Sequence, residues 1–100
     1  GGPWQRNYAR YSARVQLLAN RGYIVFAPDF RGSSGYGRDY RLAARGEYEQ
    51  GRVHRDIIEG IRYLLSQGIG DAGKLGIMGD SFGGYATLAC AAMGLVLALF

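Results

Sequence analysis

The pentapeptide Gly79-Asp80-Ser81-Phe82-Gly83, of the form G-x-S-x-G, constrains this chain more than any other stretch. A short apolar run, Leu75-Gly76-Ile77-Met78, leads into it, and Gly84-Tyr85-Ala86-Thr87-Leu88 follows with helical composition. That order predicts a strand, a tight turn carrying a serine, and a helix. Gly79 and Gly83 stand two residues either side of Ser81 because a strained turn leaves little room there for side chains. The serine hydroxyl then projects from the C-terminal end of a strand. The helix N-terminus behind it offers backbone N–H groups and a positive partial charge to a developing oxyanion. Alone, the pentapeptide is a weak signal in a chain with 17 glycines. A strand-to-helix turn with a helix-capping serine has the same pattern.

Upstream, Tyr11, Val15, Leu18 and Ala19 fall at i, i+4, i+7 and i+8, which predicts a helix within residues 7–20. Ser12 is placed to cap its start and Gly22 its end. Tyr23-Ile24-Val25-Phe26-Ala27 has the composition of a strand buried on both faces, as in a parallel sheet covered by helices, and Pro28 ends it. Residues 29–37 form a loop with glycines at 32, 35 and 37, expected at the C-terminal edge of the sheet, where α/β proteins bind ligands. Neither the G-x-G-x-x-G dinucleotide pattern nor the G-K-[ST] of a phosphate loop occurs, so no phosphate site and no cofactor are expected.

Residues 38–46 suggest a short helix or irregular turn. Between Gly51 and Gly68, Val53, Ile57, Ile61, Leu64 and Leu65 repeat at helical spacing, with Ile58 widening the stripe. Arg52, Arg55, Glu59 and Arg62 lie mostly off that stripe, and His54 is expected to face solvent. A turn at 69–73, a strand at 75–78 and a helix from about Phe82 complete the order. Thr87 is the sole polar residue from 86 to 100. This run is shorter than the roughly 20 residues that span a bilayer, so it is expected to be a helix at the centre of an α/β domain, with no membrane association.

Alternating helices and strands predict a parallel α/β sheet with right-handed crossovers. Two strands do not make a stable doubly wound sheet, so these 100 residues are expected to be part of a longer protein. With 48% apolar and 20% charged residues the chain is globular rather than disordered. Its net charge of +4 is carried almost wholly by arginines spread from Arg6 to Arg62, which argues against a nucleic-acid surface. The single cysteine, Cys90, has no internal disulfide partner and is expected in the core. No cluster of Cys or His proposes a metal site.

Several stretches together resemble the catalytic domain of the prolyl oligopeptidase family of serine peptidases. They are Gly1-Gly2-Pro3, Leu18-Ala19-Asn20-Arg21-Gly22-Tyr23, Ala27-Pro28-Asp29-Phe30-Arg31-Gly32-Ser33, Gly35-Tyr36-Gly37, residues 71–76 and Gly79-Asp80-Ser81-Phe82-Gly83-Gly84-Tyr85. The resemblance implies that residues 1–100 are the N-terminal part of an α/β-hydrolase catalytic domain. It also implies that Ser81 is the nucleophile of a Ser-Asp-His triad acting on short peptides. Gly1-Gly2-Pro3 is similar to the end of the family's His-Gly-Gly-Pro motif. The oxyanion hole would then use the backbone N–H groups of Phe82 and Gly2.

The triad acid and base normally follow the serine in the order Ser, Asp, His. No Asp, Glu or His follows Ser81, and His54 precedes it. Without a base a serine is barely nucleophilic at neutral pH, so the 100-residue chain alone is expected to turn over no peptide. Asp80 departs from the family pattern, which often has Gly or an aromatic there. Gly-Asp-Ser-x-Gly-Gly is also similar to the hormone-sensitive-lipase-like esterases, which leaves a carboxylesterase or a non-catalytic α/β scaffold as alternatives. Pro3 and Arg31-Gly32-Ser33 favour the peptidase group. The residues after about Ala92 do not resemble the family.

Overall fold

Ser12 sets the first helix. Its Oγ accepts a hydrogen bond from the Val15 N–H at 3.4 Å, and α1 runs from there over Ala13–Asn20. The cap starts the helix at Ala13, so α1 takes eight of the 14 residues from 7 to 20, and Gly22 closes it with φ 89°. The computed structural model describes residues 2–46 and 51–92. Gly1 and the apolar end at 93–100 lie outside them. The remaining helices are α2, Arg38–Leu42; α3, Arg52–Ser66; and α4, Phe82–Ala92. None of these helices is long and apolar enough to cross a membrane.

The amphipathic stripe of α3 does what its spacing predicts. Val53, Ile57 and Ile58 are buried. α3 packs on α4, and Ile57 and Ile58 form one cluster with Ala86 and Cys90, flanked by Phe30, Ile61 and Ile77. Burial of each isoleucine contributes on the order of 1.5–3 kcal/mol. Cys90 is in the core as expected. Gly60 has a packing role: a Cβ there would lie 2.9 Å from Cζ of Phe26, so that ring can rest directly on the α3 backbone.

Two expectations need correction. The runs 23–27 and 75–78 form no strand ladder among the described residues. The first is not buried on both faces, since Ile24 is 66% exposed. A parallel strand gains its ladder and its cover from neighbouring strands and helices. Phe26 and Ile77 reach α3 or its cluster, while Met78, at 60% exposure, has no such cover. Likewise α4 is not enclosed on all sides. Ala86 and Cys90 face the core, but Leu88 is 74% exposed.

A bidentate ion pair fastens the loop after residue 28 to α3. Arg31 Nε donates to Asp56 Oδ2 at 2.7 Å and Nη2 to Oδ1 at 2.8 Å, and the Arg31 backbone N–H adds a third bond at 3.1 Å. Partial burial pushes the Asp56 carboxyl up, but the hydrogen bonds and charge of Arg31 outweigh it and hold the pKa below its ordinary 3.8. The stabilisation is therefore present above that value and is lost as pH falls through the lowered pKa. Asp56→Ala is expected to cost about 2–3 kcal/mol in chemical denaturation at pH 7, because three charge-assisted bonds vanish together. A loss under about 0.5 kcal/mol would mean that the pair behaves as a screened surface bridge.

Candidate active site

The turn at 79–83 closes so tightly that its first glycine is obligatory. A Cβ on Gly79 would sit 2.4 Å from the carbonyl carbon of Gly83, 2.5 Å from its oxygen and 2.7 Å from its Cα. Those are backbone atoms and cannot swing away. The Gly83 N–H donates to the Asp80 carbonyl at 2.8 Å, and the Tyr85 N–H to the Ser81 carbonyl at 3.2 Å, so the turn passes straight into α4.

Ser81 lies between these constraints with φ 53°, the one non-glycine residue with positive φ among those described. Holding a side-chain-bearing residue there costs on the order of 1–3 kcal/mol. Ser81 is exposed, and its hydroxyl makes no hydrogen bond within the described residues. A capping serine would accept from an amide of the first helical turn, as Ser12 does in α1. Ser81 does not cap α4.

Three elements converge on this turn. Phe82 opens α4, and its ring stacks at a tilt on Phe30, with centroids 5.6 Å apart. Gly2, at φ 121°, comes close from the other end of the chain: a Cβ there would be 3.8 Å from Cδ1 of Phe82 and 4.0 Å from Cζ of Phe30. The fold thus brings Gly2, Phe82 and the Gly79–Gly83 turn together. From α1, Arg14 Nη1 donates to Asp80 Oδ2 at 2.9 Å. With both side chains more than half exposed, this pair is worth at most about 1 kcal/mol.

The glycine-rich loop at 29–37 is occupied with its own structure. Asp29 Oδ1 accepts from the Asn7 backbone N–H and from Asn7 Nδ2, both at 2.9 Å, and Asp29 Oδ2 accepts from the Tyr36 hydroxyl at 2.6 Å. The Tyr40 hydroxyl donates to the Asp29 carbonyl. The bond to Asp29 raises the Tyr36 phenol above its ordinary value, so Tyr36 is no base at neutral pH. Gly35 makes room for an arginine. Its Cβ would fall 2.6 Å from Cδ of Arg6, whose guanidinium rests 5.1 Å from the Tyr8 ring and 5.2 Å from the Tyr36 ring.

The expectation for His54 is overturned. It is 2% exposed, on the inner face of α3, with its ring edge-on to Tyr85 at 5.1 Å between centroids. Residues 54, 58, 61 and 65 form one helical row, so His54 shares its face with Ile58, Ile61 and Leu65. That row was visible in the spacing, whereas the Asn7–Asp29, Arg31–Asp56 and Arg14–Asp80 contacts join residues 22, 25 and 66 positions apart and leave no local signal.

A sequence profile described as the prolyl oligopeptidase family matches residues 9–95, which include the 29–37 loop and the serine turn. The chain belongs to that family. Among its relatives are dipeptidyl aminopeptidase BIII of Pseudoxanthomonas mexicana, 46% identical over 88 residues, and dipeptidyl peptidase family member 6 of Caenorhabditis elegans, 39% identical over 88 residues. Acylamino-acid-releasing enzyme 1 of Oryza sativa subsp. japonica is 29% identical over 87 residues. The matches cover 88%, 88% and 87% of this chain but 13%, 12% and 11% of the relatives, so the chain spans about an eighth of their length. No solved structure matches the chain. Membership of a prolyl oligopeptidase family carries an α/β-hydrolase fold, whose helices, but no strands, appear among the described residues. Gly2 precedes the matched stretch, so its place in the site rests on its approach to Phe82.

Proposed function

We propose that the protein is a serine peptidase that cleaves short peptides through an acyl-serine intermediate at Ser81. The observation that carries this reading is the state of Ser81: forced to φ 53° at the head of a helix, exposed, and with its hydroxyl making no hydrogen bond among the described residues. The names of the relatives, dipeptidyl and acylamino-acid-releasing enzymes among them, support peptides as substrates.

In the proposed reaction Oγ of Ser81 attacks the scissile carbonyl carbon, forming the C–O bond as its proton passes to a base. Negative charge gathers on the carbonyl oxygen, towards the backbone N–H groups of Phe82 and Gly2. The C–N bond then breaks as the base returns the proton to the leaving amine. Water repeats the sequence on the acyl-serine and frees the acid. The base and the carboxylate that orients it belong to parts of the protein outside these 100 residues. His54 is packed in the core against Tyr85 and does not serve as the base. The 100-residue chain alone therefore turns over no peptide.

The test is covalent labelling of the full-length protein with a fluorophosphonate. We expect one adduct, on the tryptic peptide that contains Ser81, and none in Ser81→Ala. Folded wild-type protein that stays unlabelled would sink the nucleophile assignment.

A further inference from the structure

His54 is a polar side chain in a place built for an apolar one. It is 2% exposed, next to fully buried Val53, and neither Nδ1 nor Nε2 has a hydrogen-bond partner among the described residues. A neutral imidazole tolerates this at a cost. An imidazolium would bury a charge and two unmet donors, which is much worse.

Among the described residues the surroundings offer such a charge no relief. From α4 the titratable groups are the Tyr85 phenol, against the imidazole face to edge, and the Cys90 thiol, whose sulfur sits 3.9 Å from the His54 carbonyl oxygen. α4 has no Asp, Glu, Lys or Arg. The hydrophobic cluster at the same interface is Ile57, Ile58, Ala86 and Cys90, flanked by Phe30, Ile61 and Ile77. On α3 itself Arg55 is exposed and the Asp56 carboxylate is held by Arg31.

The interface leads directly to the serine turn. Tyr85 donates its backbone N–H to the Ser81 carbonyl at 3.2 Å. Its ring lies 6.0 Å from that of Phe82, which in turn rests on Phe30. His54, Tyr85, Phe82 and Phe30 thus form a continuous aromatic row from the α3–α4 interface to the place where Gly2 approaches.

We propose that His54 is a positioning residue that seats α4 on α3 only while its imidazole is neutral, so that mild acid unseats the helix and stops turnover at Ser81. The turnover arm rests on the assignment of Ser81 above; the seating of α4 does not. Burial pushes the imidazole below its ordinary pKa of 6.5. As pH falls past that value an opened state takes up the proton first. The contribution to stability is therefore present above pH 6.5 and lost below it.

Two measurements on the full-length protein test this, with His54→Met and His54→Gln as variants that cannot titrate. In wild-type protein, hydrogen exchange of the α4 amides, corrected for intrinsic chemistry, should report an opening equilibrium that is flat above pH 6.5. Below it, opening should rise by up to about tenfold per pH unit, the limit for one proton. Either variant should be flat throughout. The acid limb of log kcat/KM should approach a slope of about two in wild-type protein, one proton from the triad base and one from His54, and about one in either variant. Flat exchange in the wild type, or an unchanged slope in a folded variant, overturns the proposal. If the protein takes no fluorophosphonate label, the Ser81 assignment has failed and the exchange measurement still decides the role of His54.

Discussion

Ser81→Gly is expected to abolish turnover, by on the order of 10⁶-fold, and yet to make the protein about 1 kcal/mol more stable. The two effects have one origin. Ser81 is held at φ 53°, where a Cβ is crowded, at a cost of about 1–3 kcal/mol. Glycine removes that strain and adds about 0.4–1 kcal/mol of unfolded-state entropy, so relief prevails. The hydroxyl makes no hydrogen bond within the described residues, so little folded-state interaction is lost with it. Ser81→Ala is the necessary control, because it removes the same oxygen but keeps the Cβ and the strain. It should be as inactive as the glycine variant and no more stable than wild type. Chemical denaturation of the three proteins, beside kcat/KM on a short peptide, separates the terms. A glycine variant less stable than the alanine variant would show that the turn stores no strain at this residue.

How much of this was legible in the sequence depends on how far apart the interacting residues are. The α3 stripe was legible because a helix repeats its own face, and Val53, Ile57 and Ile58 are buried as the spacing requires. The caps at Ser12 and Gly22 are local chemistry and were legible too. For His54 two signals conflict: its polarity argues for solvent, whereas its helical row, which also holds Ile58 and Ile61, faces the core, and the row prevails. The apolar run at 23–27 has strand composition, but composition states a need for neighbours without supplying them, and Ile24 stays exposed. The approach of Gly2 to Phe82 across 80 positions has no local signature. It became legible only through the family's motif order.

Gly79→Ala should be severely damaging. The new Cβ would stand 2.4–2.7 Å from three backbone atoms of Gly83. No rotamer change relieves such a contact, and opening the turn means losing the Gly83-to-Asp80 hydrogen bond and the start of α4 with it. A loss of more than about 3 kcal/mol is expected, together with at least a 10²-fold fall in kcat, since displacement by 1 Å is enough to spoil attack geometry. Gly84→Ala makes the contrast. Its Cβ would meet only the Gly79 carbonyl oxygen, at 3.3 Å, which a shift of a few tenths of an ångström relieves. Alanine there also gains about 1 kcal/mol of helix propensity, so that variant should stay within about 0.5 kcal/mol of wild type. The two substitutions add the same methyl group five residues apart, so their difference measures the closure of the turn rather than side-chain size. If the two variants were equally mild, the turn would be looser than 2.4 Å implies, and the strain at Ser81 would lose its cause.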